Sequence, residues 1–154
     1  DTLNPEALIR VRLSYSSVMN TLADIQNAFQ ETNLALKVGR LFYSEQNIFP
    51  YNELGIGRLI YRLPVSLCEN FLSEIFGSPI PKTLDPELMA TVNRFFLNNL
   101  NIAETARQLH MHRNTLIYRL EQIEKQTGLD LRLFDDAMTF KIAMMVINYL
   151  KGNK

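Results

Sequence analysis

Along the chain, apolar positions change period near residue 20 and lose the strand pattern altogether after residue 86. Residues 9–15 alternate, with Ile9, Val11, Leu13 and Tyr15 on one side and Arg10, Arg12 and Ser14 on the other. That two-residue period predicts a half-buried strand with its apolar side inward. Thr21-Leu22-Ala23-Asp24 predicts a capping box, with Asp in the place usually held by Glu. Leu22, Ile25, Phe29 and Leu36 then recur at helical spacing, and Gly39 is the expected left-handed stop. Short strands are predicted at 41–43 and 48–51 around a polar turn at 45–47. Asn52 is the expected cap of a helix reaching about Tyr61. Pro64 opens another, with Leu67, Phe71, Leu72, Ile75 and Phe76 as its stripe and Gly77 as its end.

Gly77, Pro79, Pro81 and Pro86 form the densest Pro/Gly cluster and read as a linker. Beyond it four helices are predicted. Asp85-Pro86-Glu87 supplies a capping side chain, a proline at the first helical position and an acid in the first turn. Leu88, Met89, Val92, Phe95 and Phe96 make that helix's buried face. Asn101, with Glu104 three residues on, caps a short helix to about Leu109. A third covers about 113–127 and stops before Gly128. A fourth runs 134–150, capped near Asp135. The predicted fold class is α+β: a small α/β unit over 1–79, then an all-α unit of about four helices over 80–154.

Composition narrows the function classes. The chain has 154 residues, is 47% hydrophobic and carries 16 basic against 16 acidic groups. Such values suit an ordinary globular protein. The longest uninterrupted apolar run, 142–147, is far short of the ~18 residues a membrane span needs. Cys68 is the only cysteine, so no internal disulfide forms and a cytoplasmic address is the default expectation. The chain starts at Asp1 without an initiator Met, which suggests a piece of a longer protein.

Residues 101–127 carry the functional pattern: two helices joined by a turn of three residues, the helix-turn-helix. Ala106 is small enough for the crossing point, and Leu109, Met111, Leu116 and Leu120 are placed to pin the second helix. At 100° per residue, Leu120 and Ile123 stay within about 40° of Leu116 while Asn114 and Tyr118 point almost directly away. Thr115 and Gln122 fall on the flank, Arg119 at the rim, and Arg113 begins the helix. Amide and guanidinium groups are the ones that bond base edges bidentately in the major groove. Residues 105–120 also hold Arg107, His110, His112, Arg113 and Arg119 without one acid, so the zero net charge conceals a modest basic face. So small a face favours two copies on paired half-sites over tight binding by one.

The run from Asn101 to Gly128, and above all His112-Arg113-Asn114-Thr115-Leu116 followed by Tyr118-Arg119-Leu120, resembles the C-terminal helix-turn-helix of PucR/CdaR-type bacterial regulators of purine catabolism and sugar-diacid use. Thr127-Gly128-Leu129-Asp130 and the closing helix fit as well. Residues 9–76 resemble more loosely the end of the cyclase-like domain that precedes it in that family, without a Gly-Gly-Asp-Glu-Phe signature and so without cyclase chemistry. The resemblance implies a transcription factor that binds double-stranded operator DNA, with a small-molecule effector sensed elsewhere in the parent protein. It marks His112, Arg113, Asn114, Thr115, Tyr118 and Arg119 as DNA-facing, and the helical angles add Gln122. In helix-turn-helix proteins generally the turn commonly holds Gly where His110 stands here, a residue that tolerates left-handed backbone better than most.

Other readings are weaker. His110 and His112 have no third ligand at a recognisable spacing, so neither a metal nor any other cofactor is implied. Asp135 and Asp136 suit a helix start, Cys68 suits a buried thiol, and no enzymatic constellation emerges. The last helix is apolar almost all round, which suggests either a place between the two units or a homodimer surface. The alternative function is a protein-interaction or dimerisation module with a degenerate helix-turn-helix.

Overall fold

The protein's structure, a computed structural model, describes residues 11–77 and 85–152. Chain contacts divide it into two units, one running up to Val65 and taking in the chain from Asn148, the other Ser66–Ile147.

The first unit contains β1 (Leu13–Tyr15), α1 (Ile25–Phe42), β2 (Ile48–Pro50) and the single-turn α2 (Gly57–Ile60). The strands pair in parallel, Leu13 opposite Ile48, Ser14 opposite Phe49 and Tyr15 opposite Pro50. Parallel pairing requires a crossover, and α1 provides it. The sides of β1 are the reverse of the predicted ones. The Ser14 hydroxyl donates to the Thr32 carbonyl of α1 at 2.9 Å, and Arg12 and Ser14 are half-buried. Val11, Leu13, Tyr15 and Ile48 are exposed. The cause is where α1 lands: it covers the Ser14/Phe49 side, and no described element covers the other. Ile9 and Arg10 lie outside the described residues.

Gly39 also departs from expectation, because α1 continues through it to Phe42. A Cβ there would sit 2.2 Å from the ring of Phe49, so glycine is what lets the helix approach β2. Ala28, Ala35, Val38 and Gly39 form the packed face of α1, whereas Leu22 (85% exposed), Ile25 and Phe29 (69% exposed) do not. Small side chains win this face because the strand lies so close. The strand predicted at 41–43 is absent: Leu41 and Phe42 end α1, and the Tyr43 hydroxyl donates to the Leu54 carbonyl at 2.8 Å. Asn52 lies in a short 3-10 turn (Tyr51–Glu53), so the long helix expected after it shrinks to α2. Ala35, Val38, Phe49 and Leu54 make the core. From the chain's end, Tyr149 sets its ring edge-on to Tyr61, with centroids 5.8 Å apart, and donates its hydroxyl to the Leu63 carbonyl.

The second unit is helical: α3 (Val65–Phe76, counted here from Ser66), α4 (Pro86–Leu97), α5 (Ile102–Gln108), α6 (Arg113–Thr127) and α7 (Phe134–Gly152, counted here to Ile147). The predicted starts are found where capping chemistry marked them. Asp85 accepts the Glu87 and Leu88 backbone N–H groups at 2.8 and 3.2 Å, and Asn101 accepts that of Glu104 at 3.0 Å. Gly128 ends α6 at φ +77°. The last helix begins one residue before the expected cap, with Asp135 and Asp136 in its first turn. Val92, Phe95, Ala106, Leu116, Leu120, Ile123, Leu131 and Phe140 form one core, and Leu88, Met89, Phe96 and Met111 pack on it. Most apolar side chains of α7 are buried within the chain, leaving Phe134 and Met138 as its exposed large ones. Residues 78–84, in the expected linker, lie outside the described residues. No described helix is long and apolar enough to cross a membrane.

Candidate nucleic-acid interface

The geometry of the site begins at the turn between α5 and α6. His110 takes φ +52°, the left-handed conformation, and its N–H donates to the Arg107 carbonyl at 3.2 Å. Met111 then donates back to the Ala106 carbonyl at 3.0 Å, which folds the apolar Met111 side chain onto the core. His112 is extended and caps α6, its Nδ1 accepting the Asn114 N–H at 3.2 Å. The cap satisfies one of the orphan donors of the first turn and requires an unprotonated Nδ1.

Burial then fixes the rotation of α6. Leu116, Leu120, Ile123 and Thr127 are buried, so the opposite side faces out. Asn114 and Tyr118 (58% exposed) lie there, and His112, Arg113 and Thr115 are exposed beside them at the helix's start. Gln122 is half-buried farther along. Arg119 is placed differently from these. Its Nη1 donates to Thr91 Oγ1 at 3.0 Å and its Nη2 to the Glu87 carboxylate, both on α4.

The acid-free run 105–120 meets acids from outside it. Glu104 binds Arg107 at 2.8 Å, while Arg107 and then Gln108 hold the Glu104 carboxyl below its ordinary range. Among the described residues no carboxylate pairs with Arg113, which therefore carries the open positive charge at the front of α6. At the far end, Arg132 donates to Asp130 at 2.7 Å and to Glu124 at 2.9 Å. It thereby pairs with acids at and beyond the helix's far end, and it lowers the Asp130 pKa chiefly through the side-chain hydrogen bond. Sequence reasoning missed Glu87, Thr91 and Asn98. The Asn98 amide donates to Thr105 Oγ1 at 3.2 Å and Gln108 Oε1 at 3.3 Å. No local signal could have found Glu87, which lies 32 residues from Arg119.

Residues 88–146 match the family described as the PucR C-terminal helix-turn-helix domain. The chain is 32% identical over 135 residues to the purine catabolism regulatory protein of Bacillus subtilis, covering 87% of this chain and 25% of that protein. It is 29% identical to the carbohydrate diacid regulator of Escherichia coli, over 90% of this chain and 36% of the relative. It is also 29% identical to the proline-responsive transcriptional activator PutR of B. subtilis, over 83% and 32% respectively. The chain thus spans between a quarter and just over a third of the length of these relatives. Residues 88–146 are thus a helix-turn-helix domain of the PucR C-terminal family, within a chain that is similar along most of its length to regulators of the PucR/CdaR type.

Proposed function

We propose that the chain is the DNA-binding part of a transcriptional regulator, with α6 entering the major groove of operator DNA. The observation that carries this reading is the division of α6. Leu116, Leu120 and Ile123 lock one side into the core, while Arg113, Asn114, Thr115 and Tyr118 stand exposed on the first two turns. Recognition helices present their first turns to base edges in this way. Asn114 is assigned to base readout, where an amide bonds adenine bidentately, and Arg113 to a guanine edge or a phosphate. His112 caps the helix, and Thr115, Tyr118 and Gln122 flank the contact. Two copies on paired half-sites, about 34 Å apart, suit the small number of open cations per copy. Effector sensing is assigned to other parts of a longer protein.

Selection of bound sequences from a random duplex pool, followed by titration of the selected and a random duplex across a salt series, tests the reading. Affinity should fall steeply with salt, because neutralised phosphates release counterions. Asn114→Ala should weaken the selected duplex by about 1–3 kcal/mol and the random one far less. A salt-independent response, or no binding at low salt, removes the DNA reading and favours a protein-interaction module.

A further inference from the structure

The Arg119 guanidinium is already engaged within the protein. Nη1 donates to Thr91 Oγ1 and Nη2 to the Glu87 carboxylate. The Arg119 side chain is only 23% exposed, although its neighbour Tyr118 is open. Thr91 is 1% exposed, and its hydroxyl hydrogen goes to the Glu87 backbone carbonyl at 3.0 Å. The Thr91 oxygen is left as an acceptor, and Arg119 supplies its donor. One guanidinium thus ties a buried hydroxyl and a carboxylate of α4's first turns to the middle of α6. The planar fork of Arg serves both partners at once, which a lysine ammonium on its flexible stem does less well.

We propose that Arg119 is a positioning residue. It braces α6 against α4 through Glu87 and Thr91, sets the angle at which Asn114 and Tyr118 face the groove, and does not itself touch DNA. This inference rests on the DNA-binding reading above and sharpens it. An arginine meant for phosphate would be opposed by the carboxylate beside it, whereas an arginine that braces requires that carboxylate.

Glu87→Gln separates the two roles. With a brace, Glu87→Gln weakens the selected duplex by about fivefold, and Arg119→Met in that background adds little, because both changes break one connection. Arg119→Lys loses about as much as Arg119→Met, and the slope of log affinity against log salt stays at the wild-type value in every variant. Urea unfolding of each variant checks that it remains folded under the binding conditions. If Glu87→Gln leaves binding unchanged or tightens it, or if Arg119→Met lowers the salt slope by about one, Arg119 contacts phosphate and the brace is refuted. Wild-type binding together with that result refutes the brace alone. A wild-type protein without salt-dependent binding refutes the DNA reading, and the inference with it.

Discussion

His110 holds φ +52° and Leu100 φ +61°, backbone that L side chains adopt at a cost of about 1–2 kcal/mol. The two respond oppositely to glycine. His110 is exposed, so His110→Gly relieves strain with little lost packing and should raise stability by about 0.5–1 kcal/mol in urea denaturation. Leu100 packs against the second unit's core, where transfer from water is worth about 1.5–3 kcal/mol. Leu100→Gly should therefore destabilise despite the same relief, and an increase in its urea midpoint would contradict this account. Gly39 teaches a related lesson. In sequence a glycine announces either a chain reversal or a close approach, and Phe49 decides between them here. Gly39→Ala should cost about 1–3 kcal/mol, since its methyl meets the Phe49 ring.

Helices with strong ends could be read from sequence, and elements defined by a distant neighbour could not. Asp85, Asn101 and Gly128 carry their own termination chemistry, so α4, α5 and α6 start or stop where expected. β1 carries only alternation, which states that two sides differ but not which one a crossover helix will cover. The exposed set on α6 was readable for the same reason as its core: Leu116, Leu120 and Ile123 fix the rotation, and Asn114 and Tyr118 follow at helical angles. Arg119 lay at the rim of that count, and only the fold revealed its partners. His112→Ala should cost α6 about 1 kcal/mol of stability, and His112→Ser should recover most of it, since serine also caps. A larger loss, about 2–5 kcal/mol, is expected for Leu116→Ala. Circular dichroism during thermal unfolding distinguishes the two magnitudes.

Across the chain, acid stability follows from carboxylates held below their ordinary pKa: Asp130 by Arg132, Glu104 by Arg107, and Asp24 by the Thr21 and Asn20 backbone N–H groups. Each has a lower pKa folded than unfolded. Its contribution is therefore present above the unfolded pKa and disappears as pH falls through the folded one. Asp130→Asn should flatten that acid limb, measured as urea midpoint between pH 6 and pH 3, and an unchanged limb would exclude Asp130 from it. The Tyr149 hydrogen bond to Leu63 has a different consequence, in time. It closes a separation of 86 residues, and ribosomes add about 5–20 residues per second, so Leu63 waits roughly 4–17 s for its partner to be made. Helical units with local contacts fold within milliseconds. The first unit's pairing of Leu63 with Tyr149 is thus made only after the intervening helical unit has been synthesised.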